Sequence, residues 1–234
     1  MISIIDTPNI TTAQIPHLQA DGITTVIRYL SSINPHGEKC IQPAEANALA
    51  AAGIRLGLVH EGYGDFQQHG GSFSAISAQA GARDGKFCLA YAPTVGAPAG
   101  ACIYFAVDTD ASASQIHLYV LPYFAAISIV FKDSGFRVGV YGSGAVCSSV
   151  IAAGGADLAW LSQSLGWTGS RAYLASKPPQ LVLLQGATTK LANLDVDTDQ
   201  ALGEWGDFLP FAPIAQPSLA QSIENEIKSV WEPK

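Results

Sequence analysis

Charge is the scarcest feature of this 234-residue chain: Asp, Glu, Lys and Arg together make up 13%, about half the usual share of a globular domain. Only 12 residues are Lys or Arg, and they form neither a cluster nor a basic helix. Electrostatic binding to nucleic acid or to an anionic membrane is thereby excluded, and the net charge of −7 points the same way. The four cysteines, Cys40, Cys88, Cys102 and Cys147, show no CxxC or Cys/His ligand spacing. They read as buried free thiols, and no metal or other cofactor is expected. The opening MISIIDTPNI has no basic leader and no long apolar run, so it reads as a strand and not as a signal peptide. A cytoplasmic location is the resulting expectation, with a leaderless, phage-lysis or specialised secretion route as the alternative.

Long uninterrupted apolar runs are missing as well. The uncharged stretch 87–107 contains Pro93, Gly96, Pro98 and Gly100, and the stretch 111–131 contains Gln115, His117, Pro122 and Ser128, which argues against a membrane span. Several catalytic fingerprints fail on single residues. Gly142-x-Gly144 after a strand has Cys147 where the dinucleotide fingerprint needs a third glycine. Ser143 lacks the flanking glycines of a nucleophile elbow. The run 195–199, DVDTD, starts like a calcium loop but has Gln200 at its sixth position and Gly206 at its twelfth.

Hydrophobic residues, in contrast, reach 48%, enough for one large domain that buries about 70% of its unfolded surface. Apolar β-rich runs alternate with helical ones. Strands are predicted at 2–6, 24–30, 55–61, 101–107 and 137–141, with helices after each: to about 20, from Pro43 to Gly53, within 72–92, over 112–133 and to about 153. Three more strands, 158–162, 181–185 and 194–197, are joined by segments too rich in Gly, Pro and Lys for full helices. The pattern is α/β and predicts a modified (β/α)8 TIM-like barrel, with eight parallel-type strands and helices mainly after the first five. Residues 1–205 form that barrel, and 206–234 read as an appended tail, a linker plus a short helix, expected first as a solvated extension, with docking of a protein partner as the alternative.

In such a barrel the reacting groups sit at the carboxyl ends of the strands, and here those ends carry acids. Asp6 ends the first strand, Glu61 the third, Asp108 and Asp110 the fourth, and Asp195 and Asp197 the last. Each Asp alone could cap the following helix, but six acids at four strand ends in so uncharged a chain point to chemistry. Asp108 and Asp110, two apart on a strand, are expected on one face about 6.5–7 Å apart, within the range used to cut glycosidic bonds. Crowding them raises the pKa of at least one, as a general acid requires.

The stretches IIDTPN (4–9), VIRYLSS (26–32), IQPAEANALAAAGIRLGLVHEG (41–62), IYFAVDTD (103–110), FRVGVYGS (136–143), LAWLSQS (158–164), LLQG (183–186) and LDVDTD (194–199) resemble the glycoside-hydrolase-like domains of domain-of-unknown-function family 1906, which are similar to the family 25 lysozymes. The resemblance implies an acid set in which Asp6, Asp108 and Asp195 or Asp197 match the lysozyme carboxylates, while Asp110 stands where those enzymes have a catalytic Glu. One methylene less withdraws that proton donor by about an ångström, a displacement that can cost about 10²-fold. Glu61 is then positioned to take over as general acid, with Asp108 stabilising an oxocarbenium-like centre or orienting an N-acetyl group. Arg28, Tyr29, Tyr63, Tyr104, Tyr141, Trp160, Trp167 and Gln185 would supply stacking platforms and hydroxyl-binding groups, although Tyr104 and Trp160 could equally be core and Arg28 an internal partner of Asp6. The expected activity is hydrolysis of a β-linked N-acetylated glycan such as peptidoglycan; the alternative is a catalytically impaired glycan-binding barrel.

Overall fold

A computed structural model describes residues 2–10, 12–32, 37, 39–61 and 73–211. Eight strands close into a barrel in chain order: β1 (Ile4–Asp6), β2 (Thr25–Leu30), β3 (Arg55–His60), β4 (Cys102–Ala106), β5 (Arg137–Gly142), β6 (Leu158–Leu161), β7 (Leu181–Leu191) and β8 (Leu194–Ala201). Helices α1 (Ile15–Ala20), α2 (Pro43–Ala51) and α3 (Ala78–Tyr91) follow the first three strands. After β4, α4 (Ala113–Gln115) runs through a π-helical turn at Ile116–Val120 into α5 (Leu121–Phe131). Helix α6 (Gly144–Ala152) follows β5, and the short α7 (Ser170–Ser176) joins β6 to β7.

Local chemistry accounts for the helices. Pro43 occupies the first turn of α2, where its missing N–H costs nothing, and Gly53, at φ 71°, ends the unit in the left-handed conformation glycine tolerates best. Ser112 and Gln115 form a capping box at the start of α4. The segment Ala113–Phe131 is long and apolar enough to cross a membrane by composition. In the structure its Ile116, Val120, Tyr123, Phe124, Ile127 and Phe131 are buried in the shell between barrel and helices.

The barrel is as expected in strand number and helix placement, but one strand differs in direction. Strands β1 to β7 are parallel, whereas β8 is antiparallel to both β7 and β1. Only Ala192 and Asn193 separate β7 from β8, both at positive φ (50° and 63°). Two residues can close a hairpin but cannot carry a parallel crossover, which needs a dozen or more. Both strands also run beyond the predicted 181–185 and 194–197: β7 continues past the barrel mouth to pair with the start of β8 as a ribbon, and β8 continues downward into the barrel.

Side chains alternate between two apolar regions. Outward residues such as Val26, Leu58, Ile103, Val140 and Leu161 pack under the helices. Inward residues, Ile4, Ile27, Val59, Cys102, Tyr104, Tyr141, Trp160 and Leu183, fill the barrel itself. At its lower end Trp205 fits against Gly57, where an added Cβ would lie 2.5 Å from the indole. Tyr104 hydroxyl donates to the Trp205 carbonyl at 2.9 Å. Phe208 then bridges to Leu56 and is buried, so packing against the barrel continues past residue 205.

Candidate active site

The upper mouth of the barrel opens into a cleft of about 280 Å³. Its lining includes Glu61 after β3, Asp108 after β4, Asp197 on β8, the aromatic rings of Tyr29, Tyr141, Trp160 and Trp167, and Ser162, Gln163, Ser164 and Gln185. The polar floor is organised by Gln185, which is buried. Its amide N–H group donates to Asp6 Oδ2 at 2.9 Å and to Asp197 Oδ2 at 3.3 Å, while its Oε1 accepts from the Tyr141 hydroxyl at 2.8 Å. Tyr29 hydroxyl donates to the other Asp6 oxygen at 2.8 Å. Tyr141 oxygen also lies 3.4 Å from Asp108 Oδ1, and Thr188 hydroxyl donates to Asp197. Lys39 ammonium forms an ion pair with Glu61 and sits 4.8 Å from the centre of the Tyr29 ring.

Electrostatics follow from this burial. Desolvation pushes the Asp6 carboxyl up to about 7; hydrogen bonds from Gln185 and Tyr29 oppose the rise, and the charges of Asp197 and Glu61 add to it. Asp199, two residues along β8 from Asp197, is raised well above the ordinary carboxylate range by burial and then by the nearby Asp6 charge. Its strand position pairs it with Ile4 on β1 and Gln185 on β7, below the cleft floor. Burial also raises the phenols of Tyr29 and Tyr141, keeping both as hydroxyl donors.

The structure brings Glu61, Asp108, Tyr141, Trp160, Gln185 and Asp197 together at the cleft, with Asp6 beneath them. It places the others elsewhere. Asp110 does not share a face with Asp108: β4 ends at Ala106, the Thr109 N–H turns back to the Val107 carbonyl, and the exposed Asp110 instead accepts the Thr168 backbone N–H at 2.8 Å. The alternation of β4 stops at Ala106 and does not reach Asp110. Asp195 lies on the ribbon beyond the mouth, exposed and paired with Lys190 at 2.7 Å. Arg28 is fully buried and pairs with Glu45 on α2 at 2.5 Å, and not with Asp6; it also donates to the carbonyls of Thr7, Pro8 and Lys39. Tyr104 is barrel interior, outside the cleft lining. Tyr63 lies outside the described residues. His60 is buried with its Nε2 beside Ser32, as a hydrogen-bonded core histidine, and burial lowers its pKa.

Two participants escaped the sequence reading. Asp199 carried a usable signal, the i+2 spacing from Asp197 that keeps both on the inner face of β8. Lys39 carried none, since it reaches Glu61 from the segment before α2, a contact that only folding creates.

A closed eight-stranded barrel with acids and aromatic rings around its upper mouth is the architecture of a glycoside hydrolase-like domain. The chain belongs to the Rv2525c-like, glycoside hydrolase-like domain family, whose sequence profile it matches over residues 16–199. It is 28% identical over 171 residues to the uncharacterized protein FadG of Bacillus subtilis (strain 168), an alignment covering 70% of this chain and 28% of FadG, so the chain spans about a quarter of that relative's length. Among solved structures it superposes on the Tat-secreted protein Rv2525c of Mycobacterium tuberculosis with a TM-score of 0.72 at 22% identity, covering 88% of this chain and 98% of that one. The modular autolysin LytC of Streptococcus pneumoniae shares the fold with a TM-score of 0.52 at 13% identity, covering 85% of this chain and 46% of LytC.

Proposed function

We propose that this barrel is a glycosidase acting on a β-linked, N-acetylated glycan of the peptidoglycan type, in the manner of a muramidase. The observation that carries the reading is the convergence of Glu61 and Asp108, just past β3 and β4, and of Asp197, within β8, on one cleft walled by four aromatic rings. Sugar rings stack on such faces, and an oxocarbenium-like transition state needs both a proton donor and nearby negative charge. Glu61 faces an ammonium, an arrangement suited to a carboxylate and not to a proton donor. Asp197 accepts hydrogen bonds from Gln185 and Thr188 and is likewise set up as an anion. Asp108 stands at the exposed rim of the cleft and takes the role of donor to the departing oxygen, while Glu61 offsets positive charge at the anomeric carbon. Support comes also from the LytC fold, which has been solved with a synthetic peptidoglycan ligand. Because Rv2525c is Tat-secreted, we extend the proposal to a location where the barrel meets the cell wall, in place of the cytoplasmic default.

The test is release of reducing sugar from purified peptidoglycan by the whole chain. Asp108→Asn should lower it about 100-fold or more, and no release by the wild type between about pH 4 and 8 would refute the proposal. A second reading, a glycan-binding barrel without turnover, is favoured by the diversion of Asp110 to a backbone N–H. It requires saturable binding of muropeptides or chitin oligomers that survives Asp108→Asn, with no sugar released. The segment 212–234 is proposed as an appendage to the barrel that docks a protein partner; its deletion should leave turnover and barrel stability unchanged.

A further inference from the structure

Asp199 takes no part in the cleft chemistry just described, yet it is one of the two most deeply enclosed acids of the barrel interior. Because β8 runs antiparallel, its inward positions step down into the barrel: Asp197 pairs with Asp6 at the mouth, and Asp199 pairs with Ile4 one layer below. Both carboxyl oxygens of Asp199 are sealed from solvent and make no hydrogen bond of normal geometry among the described residues. The indole N–H of Trp160 is in the same position, sealed and unbonded. Asp6 is the opposite case, since each of its oxygens already accepts a hydrogen bond, from Tyr29 and from Gln185.

An ionised carboxylate sealed in a barrel without donors is strongly disfavoured, and a second anion nearby disfavours it further. One proton relieves both penalties. Asp6 is surrounded by donors and is the natural acceptor; Asp199 has no donor except the Trp160 indole, which can serve its carbonyl oxygen. We propose that Asp199 holds a proton near neutral pH and donates it in a hydrogen bond to Asp6, acting as a positioning residue for the cleft above. The direction of every later bond then follows. As Asp6 ionises near pH 7, it becomes the anion that holds the Gln185 N–H group, Gln185 is thereby turned with Oε1 toward Tyr141, and the Tyr141 proton is committed to Gln185. The contact of the Tyr141 hydroxyl with Asp108 at 3.4 Å is then the weaker of its two, which leaves the Asp108 carboxyl for the cleft. This deepens the glycosidase reading and rests on it only where Asp108 is named as donor.

The groups that face the Asp6–Asp199 pair are Tyr29 from β2, Glu61 from β3, Tyr141 from β5, Trp160 from β6, and Gln185 and Asp197 from the hairpin. Among these described groups Glu61 and Asp197 bring negative charge; that of Glu61 is offset by its ion pair with Lys39, so Asp197, not paired with a cation among the described residues, is the neighbour that favours retention of the proton.

The experiment is infrared and carboxyl carbon NMR titration of the whole wild-type chain, Asp199→Asn and Asp199→Leu. At pH 7 the wild type should show a protonated, solvent-shielded carboxyl that is absent from Asp199→Asn. Asparagine keeps a neutral donor toward Asp6 without a titrating proton, so the Asp6 signal should stay within about one pH unit of its wild-type position. Leucine removes the donor, and Asp6 should titrate higher in Asp199→Leu than in Asp199→Asn. A wild type with every carboxyl ionised at pH 7, or an unchanged protonated signal in Asp199→Asn, overturns the proposal, as do identical Asp6 titrations in the two variants. None of these readouts depends on turnover, so a barrel that retains the shielded proton but cleaves no glycan refutes the glycosidase reading and upholds this one.

Discussion

Replacing Asp6 with asparagine removes one ionisation while keeping a side chain of nearly the same shape, so it isolates what that charge does to the fold. Asp6 is buried and its carboxyl is raised from 3.8 to about 7. A raised acid contributes stability that is fully present below the unfolded-state value and is lost as pH climbs through the folded-state value. A shift of about 3 units corresponds to about 4 kcal/mol in total. Of this, linkage assigns about 3 kcal/mol to the interval between pH 5 and pH 8. The asparagine variant forfeits part of the donor pairing with Tyr29 and Gln185, a pH-independent loss of about 1 kcal/mol. Urea unfolding at pH 5, 6, 7 and 8 should therefore show wild-type stability falling by about 3 kcal/mol more than that of Asp6→Asn. The two curves should cross, with the variant as stable as wild type or more so at pH 8. His60, lowered by burial, adds an opposite trend on the acid side that is common to both proteins and cancels in the difference. Parallel curves over the whole range would refute the claim that Asp6 is ionised against the preference of its surroundings.

Four other expectations are open to measurement. Arg28→Met leaves Glu45 as an unpaired buried carboxylate and strands three carbonyls; it should cost about 3–5 kcal/mol, read as a melting temperature lower by roughly 6–20 °C. Gly57→Ala places a Cβ 2.5 Å from Trp205 and should cost about 1–3 kcal/mol in denaturant, part of which Trp205→Leu in the same chain recovers. Gln185→Leu takes the amide donor from Asp6 and Asp197; since that donor holds the Asp6 carboxyl down, its NMR titration should move upward. Asp110→Asn keeps an acceptor for the Thr168 N–H and should leave glycan turnover within a few-fold of wild type, in contrast to Asp108→Asn.

Much of the fold was legible because it rests on short-range chemistry. Apolar runs of strand length, Pro43 and Gly53 bounding α2, and Ser112 capping α4 each act within a few residues, and together they announce an eight-stranded α/β barrel. The acids at strand ends were legible for the same reason: a parallel barrel delivers residues just past β1, β3 and β4 to one mouth. Inference failed where a local rule was carried beyond its element. Asp110 lies past the end of β4, in a turn, whereas Asp195 lies within its strand but, because β8 runs antiparallel, on the part of the hairpin beyond the mouth. The reversal of β8 was implicit in the short spacing between the last two apolar runs, but the positive φ of Ala192 and Asn193 was not.

Composition and periodicity alone determined that this protein is a barrel with acids at several of its strand ends, because burial of alternating apolar residues permits few other arrangements. Tertiary structure decided which acids meet. Arg28 turned to Glu45 and not to Asp6 because α2 brings that carboxylate against the outer face of β2. Gln185 became the hub of the floor, and Asp199 its hidden neighbour, because an antiparallel last strand carries its inner side chains downward. Such pairings depend on contacts between residues far apart in the chain, and no spacing along one strand can encode them.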